Sequence, residues 1–266
     1  MGEVLSGMSS FTWGPEQDSR FAAIREPLAQ VSTATACQLM ISVGWRNGYM
    51  QGLLPLQSLG LGTRLVGRAR TCQYLMRRGP EGEFNPEERR VSPEIVLIEA
   101  LEPGDIICID ALGLTSAGII GDILTARIKS QGATAAVING VIRDSPYIAE
   151  VGLPVFSAGV HPSHSGREVL AVDYDQPINM AGCQVVPGDI LLCDDEGIVG
   201  MPLEIAEYIA DHGPHKEELE AWIRGKVLAG GSIHDYYPTS AARIDEYEQE
   251  TGRDFHDRVQ SSRAGG

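Results

Sequence analysis

The sequence predicts an α/β domain built on a mixed, curved sheet, and three observations carry that expectation. An apolar run at 106–112 is followed by a stretch of helical periodicity and then by a second short apolar run, the order of a βαβ unit. Glu102-Pro-Gly-Asp-Ile106 and Val186-Pro-Gly-Asp-Ile190 open two apolar runs with the same turn chemistry. Pro-Gly meets both φ demands of a type II turn, and the Asp that follows can bond nearby amides. Finally, residues 214–228 read as a helix: Pro214 near its start, Glu217, Glu218 and Glu220 early, Arg224 and Lys226 late, and Gly230-Gly231 after it.

In chain order, residues 1–17 read as a loose arm within an N-terminal extension, 1–31. The main domain covers 32–230, and 231–266 form a helical C-terminal extension. Ser32 or Thr33 can cap a helix over 34–43 that Gly44 ends. Residues 59–70 combine turn glycines with alternating apolar positions, as a strand would. Residues 77–91 are polar, with prolines and glycines, and read as a long surface loop or lid. Ile120, Ile123, Leu124 and Ile128 recur at three- and four-residue steps and predict one apolar helix face. The run 135–138, bounded by Gly132 and Gly140, has the continuous apolar character of a strand buried on both faces.

At 266 residues and 43% hydrophobic, the chain can bury one ample core with terminal extensions. It has no run of about 18 apolar residues, which argues against a membrane-spanning helix. Residues 1–14 lack the basic-then-apolar pattern of a signal peptide. The five cysteines (37, 72, 108, 183, 193) are odd in number and never in Cys-x-x-Cys spacing. Cys108 and Cys193 sit in apolar runs as small buried hydrophobes, a usage that fits a reducing cytoplasm. The net charge of −15, from 21 basic and 36 acidic residues, argues against nucleic acid as a partner. Gly60-Leu-Gly62 followed by Gly67 misses the dinucleotide pattern, and neither a Gly-x-Ser-x-Gly elbow nor a Gly-Lys-Ser/Thr loop occurs.

The chemistry concentrates around the βαβ unit. Asp122 opens its helix and Arg143-Asp144 leave its second strand, with twenty residues between them. The crossover brings both strand C-termini to one sheet edge. A helix N-terminus, a guanidinium and two carboxylates therefore meet at one spot, which suits an anionic carbonyl substrate and a hard cation. His161-Pro-Ser-His164 has metal-like spacing, but its proline breaks helical geometry and no third ligand is evident. It reads as a loop whose histidines can touch substrate. His212 and His215 read as exposed around a helix start at Gly213-Pro214. Asp194-Asp195-Glu196-Gly197 reads as turn chemistry in preference to a second metal site.

Gly121-Asp122, the twenty-residue interval and Arg143-Asp144, together with Asn139-Gly140 before that pair and the run at 151–156, resemble a known family. It is the divalent-metal pyruvate aldolases typified by 4-hydroxy-4-methyl-2-oxoglutarate aldolase, which include the RraA-like proteins named regulators of ribonuclease E activity. The likeness runs from about 32 to 236. The tail from Tyr236, with its charged helix-like stretch, is similar to a longer branch usually given the regulator name. The resemblance implies a swivelling β/β/α fold and a trimeric or hexameric homo-oligomer. It implies Asp144 as the one direct protein ligand of Mg²⁺ or Mn²⁺, and Arg143 facing the oxo oxygen. The backbone N–H groups of Gly121, Asp122, Ile123 and Leu124 would hold the substrate carboxylate. Asp122 would hold a water of the ion's shell or help place the base, and Glu217 would reach a neighbouring subunit's site.

The implied reaction is retro-aldol cleavage of a 4-hydroxy-2-oxo acid to pyruvate and a carbonyl product, with oxaloacetate decarboxylation beside it. Two rivals stand: a non-catalytic regulator that binds another protein, and a dehydratase or lyase acting on a sugar-derived 2-keto-3-deoxy acid. The presence of Asp144 favours the enzyme, whereas an Asp144 locked into an ion pair with Arg143 would favour the regulator. The longer tail and the polar stretch at 77–91 depart from the shorter aldolases and leave the substrate open.

Overall fold

The computed structural model describes residues 13–78, 86–253 and Phe255. The elements up to the βαβ unit are α1 (Pro15–Leu28), α2 (Thr33–Ser42), β1 (Leu54–Pro55), β2 (Leu65–Met76), α3 (Pro86–Arg90), α4 (Pro93–Glu99) and β3 (Asp105–Gly118). Then come α5 (Asp122–Ser130), β4 (Ala135–Val141), α6 (Ser145–Val151), β5 (Val155–Ser157), β6 (Val169–Tyr174), β7 (Ile178–Met180) and β8 (Cys183–Val185). The chain closes with β9 (Ile190–Asp194), β10 (Gly197–Met201), α7 (Leu203–Leu228), α8 (Ile233–Tyr236) and α9 (Ala241–Thr251).

The main sheet is mixed and curved, in the order β1-β5-β4-β3-β2-β9-β10, with β6 also pairing β2. Strands β2 to β5 run parallel, and β1, β6, β9 and β10 are antiparallel to their neighbours. The predicted βαβ unit is β3-α5-β4, in register from Ile106 opposite Ala135 to Asp110 opposite Asn139. Over 106–110 and 135–138 both strands are buried on both faces, which explains the lack of polar alternation there. Ile107, Ile109, Ala136 and Ile138 join the core beneath α4, α5 and α6, while Ile106, Cys108, Ala135 and Val137 pack on the opposite face with Phe156 and Met180. A third cluster lies between α1, α2, α7 and strands β2, β9 and β10.

The two Pro-Gly-Asp turns form as their composition requires. Gly104 and Gly188 adopt φ of +92° and +91°, a region where a side chain is strained. Asp105 Oδ2 accepts from Glu102 N at 2.9 Å, and Asp189 Oδ2 accepts from Val186 N at 2.8 Å. The turns deliver β3 and β9 to opposite edges of β2, where Arg68 N donates to Gly104 O and Gly188 N donates to Ala69 O. Asp105 is fully buried. It accepts from Arg68 Nε at 2.8 Å and from Arg70 Nη1 at 3.3 Å.

Ser32 caps α2 by accepting from Thr35 N, and Gly44 lies at φ +80° just past the helix, as expected. Four of the cysteines are buried and all five are free thiols. Several expectations are corrected. The strand placed at 59–70 begins at Leu65 and runs to Met76. Residues 15–17 of the supposed loose arm open α1, whose Phe21, Ile24 and Leu28 are buried; residues 1–12 lie outside the described set. Within 77–91, residues 79–85 lie outside it too, but 86–90 are helical, and Arg89 pairs with the buried Glu94, which also accepts from the Tyr74 hydroxyl. Burial pushes the Glu94 carboxyl up to about 8.

The late helix begins at Leu203, so Pro214 lies inside it. Proline there removes one N–H and strains the preceding turn. Burial of Ala206, Ile209 and Ala210 against the α1-α2 core outweighs that cost, and Gly213 sits so close to Val31 that a Cβ would meet Val31 Cγ2 at 2.4 Å. His212 is consequently not exposed: it is half-buried and stacks on Tyr208 with ring centroids 4.1 Å apart. His215 is half-buried as well.

Two predictions follow from these turns. Asp105→Ala leaves the nearly buried Arg68 and Arg70 short of a counter-charge, and unfolding in urea should show a loss of about 3 kcal/mol. Burial, opposed by the Val186 N–H, pushes the Asp189 carboxyl from 3.8 up to about 6. The folded chain then holds that proton at a pH where the unfolded chain has released it, so stability should fall as pH rises from 3.8 to about 6. Asp189→Asn should flatten that part of the curve, measured as urea midpoints across the same pH window.

Candidate functional site

The site is assembled where β3 and β4 end side by side. Beyond β3, the segment 118–121 is stitched to the end of β4: Ile119 N donates to Val141 O at 2.8 Å, and Arg143 N donates to Ile120 O at 3.0 Å. Helix α5 then starts at Asp122, with Gly121 as its N-cap and no side-chain cap. Gly121 has no side chain to offer, so the N–H groups at 121–124 find no acceptor among the described residues. Thr125 N, donating to Gly121 O at 3.1 Å, is the first satisfied amide of the helix. An uncapped helix start of this kind concentrates donors and positive potential at one point.

Arg143 and Asp144 meet that point from the other strand. Asp144 adopts a left-handed conformation, φ 56° and ψ 32°, which turns the chain from β4 into α6. Few residues other than Gly, Asn and Asp take up this region, and strain of this kind gathers at functional sites. Its carboxylate lies over Gly121, where a Cβ would stand 2.4 Å from Asp144 Oδ2. Gly118 plays the same part for Arg143, whose Cβ would lie 2.7 Å from an added Cβ. Both glycines are therefore required by close approach. The role of Gly118 was readable only once the strand register was known.

Arg143 Nε donates to Asp144 Oδ2 at 2.9 Å, and both side chains are about one-third exposed. The ion pair named as a mark of the regulator is thus present, but it uses one nitrogen and one oxygen. Among the described residues, the terminal guanidinium nitrogens and Asp144 Oδ1 have no protein partner. Asp122 is half-exposed and likewise unpartnered among them. Ile123, counted in the apolar stripe, is instead 79% exposed at the helix start, while Leu124 and Ile128 face the core.

The other candidates fall elsewhere. Glu217 Oε1 accepts from Ser32 N at 2.8 Å, with Arg64 3.9 Å from its other oxygen. Burial works against ionisation of this carboxyl, but bonds from Ser32 and Thr35 and the charge of Arg64 hold it below the usual range. Asp194 accepts from Thr33 N and Thr33 Oγ1, and Asp195 accepts from Ser58 Oγ and Leu59 N, so the acidic turn is structural. Among the described residues no group of three or more His, Cys, Asp or Glu gathers as a metal cage. No helix among them is long and apolar enough to cross a membrane. His161 and His164 lie beside Arg143: Ile142 pairs with Val160, His161 N donates to Ile142 O at 2.8 Å, and Gly118 pairs with His164.

Comparison with known proteins bears on the family and the fold. The RraA-like family model, described as Aldolase/RraA, matches residues 29–199. Protein DlpA of Legionella pneumophila is 28% identical over 186 residues, covering 70% of this chain, which spans only 29% of DlpA. A protein of Thermus thermophilus named 4-hydroxy-4-methyl-2-oxoglutarate aldolase is 26% identical over 146 residues, 55% of this chain and 80% of that protein. The crystal structure of Streptomyces coelicolor RraAS2, described as an unusual member of the RNase ES inhibitor RraA protein family, superposes with a TM-score of 0.66 at 31% identity. The match covers 76% of this chain and 96% of that one.

The close approach at Gly121 is directly testable. Gly121→Ala forces the Asp144 carboxylate from its seat, and an overpacked contact of this kind costs about 1–3 kcal/mol. Chemical denaturation should show that loss, and a crystal structure of the variant should show Asp144 displaced from α5.

Proposed function

The chain belongs to the RraA-like family (Aldolase/RraA), and on that premise we propose that it is a divalent-metal-dependent lyase. It cleaves a 4-hydroxy-2-oxo acid to pyruvate and a second carbonyl product, and decarboxylates oxaloacetate as a side activity. The observation that carries this reading is the seating of Asp144 over Gly121. It brings to one half-exposed sheet edge two carboxylates, a guanidinium whose terminal nitrogens have no partner among the described residues, and the α5 amides that have none among them either.

The donor set fits a hard cation. Asp144 Oδ1 and the Asp122 carboxylate are accessible oxygens, few enough to suit Mg²⁺ or Mn²⁺, which retain much of their water. When bound, such an ion supplies Lewis-acid polarisation of the oxo acid. The amides at 121–124 hold the carboxylate, as helix N-termini hold anions generally. Arg143 faces the oxo oxygen. As a base takes the proton from the C4 hydroxyl, the C3–C4 bond breaks and its electron pair passes to the enolate. The guanidinium of Arg143 meets the negative charge that develops on the enolate oxygen. Protonation at C3 then gives pyruvate. Decarboxylation passes through the same enolate, so both reactions draw on the same residues.

Glu217 enters this reading only through a homo-oligomer, trimer or hexamer, in which it would approach a neighbour's site. Within its own chain its carboxylate is committed to Ser32 and Arg64. A second reading, a non-catalytic regulator that binds a protein, is favoured by the Arg143–Asp144 ion pair and by the likeness to RraAS2.

The test is pyruvate release from a panel of 4-hydroxy-2-oxo acids and oxaloacetate, with Mg²⁺ and with chelator. Asp144→Ala should abolish release while thermal melting shows the fold intact. Arg143→Lys keeps the charge but loses the planar fork, and should lower turnover on the order of 10²–10³ for cleavage and decarboxylation alike. Absence of release from every substrate in the wild type would overturn the aldolase reading.

A further inference from the structure

A cavity of about 550 Å³ opens between α1 and the first Pro-Gly-Asp turn, at the opposite end of β3 from Arg143 and Asp144. Its shape follows from how α1 docks. Phe21, Ile24 and Leu28 are the buried line of that helix, and Asp18, Ala22 and Arg25 run beside it at three- and four-residue steps. This flank overhangs Glu102 and Pro103 instead of entering the core. Arg25 reaches across the turn, its Nη1 4.0 Å from the position of a Gly104 Cβ. Helix α1 precedes residues 29–199, so one wall of the cavity lies outside the part of the chain that the RraA-like family model matches.

The cavity holds charges of both signs in fixed places. At its base Arg68 is nearly buried, and each of its three nitrogens already has a carboxylate acceptor. Nε bonds Asp105, Nη1 bonds Asp18 and Nη2 bonds Glu102. Arg68 therefore has little left to offer a ligand, but it pins the two carboxylates of the rim. Asp18 is held through Oδ1 at 3.0 Å and Glu102 through Oε2 at 3.2 Å. Asp18 Oδ2 and Glu102 Oε1 have no hydrogen-bond partner among the described residues, and both side chains are more than half exposed. The Arg25 guanidinium, also exposed, has no hydrogen bond or ion pair among the described residues. Phe21 and Pro103 add apolar surface between these groups.

Simple ions fit this arrangement poorly. An anion drawn to Arg25 stands against Asp18 and Glu102, and a cation drawn to those carboxylates leaves Arg25 unanswered. A molecule that carries both charges answers all three groups. Its ammonium donates to the open oxygens of Asp18 and Glu102, and its carboxylate accepts from the planar fork of Arg25. Its apolar remainder rests on Phe21 and Pro103. We propose that this cavity binds a free α-amino acid with an apolar side chain, at a site separate from the one at the far end of β3. The site is read from its own residues and does not draw on the lyase reading.

The test uses three ligands that share a phenyl group: L-phenylalanine, phenethylamine, which lacks the carboxylate, and 3-phenylpropanoate, which lacks the ammonium. Calorimetry on the full chain should give saturable one-site binding of L-phenylalanine at millimolar or lower concentration. Each single-charge analogue should bind more weakly by roughly tenfold or more, the scale of a hydrogen bond to a charged group. Two variants then separate the charges, with thermal melting as the check on folding. Arg25→Leu should bring the affinity for L-phenylalanine down toward that for phenethylamine, and leave phenethylamine itself unchanged. Glu102→Gln should weaken L-phenylalanine and phenethylamine together without weakening 3-phenylpropanoate. No saturable binding of L-phenylalanine by the wild type overturns the proposal. Equal affinity for all three ligands also overturns it, because apolar contact alone then explains the binding. An affinity for L-phenylalanine that both variants preserve does the same, since the ligand then sits elsewhere.

Discussion

The site depends on one steric constraint: two side chains must rest where α5 and β3 have none. Asp144 Oδ2 occupies the space of a Gly121 Cβ, and the Arg143 stem occupies the space of a Gly118 Cβ. A β-carbon at either glycine pushes the two chain segments apart, and the hydrogen bonds from Ile119 to Val141 and from Arg143 to Ile120 would lengthen or break. Because these bonds tie the helix start to the strand end, the acidic side chain, the guanidinium and the open amides are positioned as one unit. The left-handed backbone at Asp144 belongs to the same arrangement, since the turn into α6 is what folds its carboxylate back over α5.

That unit is only as rigid as the strands that carry it. Strand β2 is the anchor. It takes β3 on one edge and β9 on the other, each delivered by a Pro-Gly-Asp turn whose aspartate caps its own loop. On the β3 side Asp105 does more, drawing Arg68 and Arg70 into a nearly dry ion cluster that Asp18, Glu102 and Asp175 extend outward. Single-partner removal in such a cluster is costly because the remaining charges stay buried. The far end of β3 can therefore present a strained, open site while its near end is held by charge and by core packing on both faces.

Local chemistry was legible in the sequence where one residue type has one conformational use. The paired Pro-Gly-Asp turns, the Ser32 cap and the βαβ order could each be read from a few neighbouring residues. The Gly-Asp and Arg-Asp spacing brought those residues to one sheet edge for a related reason, since a crossover leaves little freedom in where its ends meet. Features set by distant packing were not legible. Pro214 reads as a helix start, yet the burial of Ala206 and Ile209 carries the helix eleven residues further toward the N-terminus, to Leu203. Ile123 matches the apolar period but lies one position off the Leu124–Ile128 line that meets the core, and so it faces out. The need for glycine at 118 arises from a contact with residue 143 that no local pattern announces.

The Arg143–Asp144 pair is where catalyst and regulator diverge, and its geometry bears on which is built. An ion pair made to be permanent would be bidentate, matching the planar fork of arginine to both carboxylate oxygens. Here the contact is through Nε alone, and both side chains keep about a third of their surface in solvent. A solvated single contact of this kind contributes on the order of 1 kcal/mol or less. On the proposed reading it is weak enough to yield to a divalent ion at Asp144, and it leaves the two terminal guanidinium nitrogens without a partner among the described residues. On the proposed lyase reading the pair would orient Arg143 before substrate arrives, which is what a stabiliser of developing charge requires: donors fixed in advance, so that the reaction does not spend its energy arranging them.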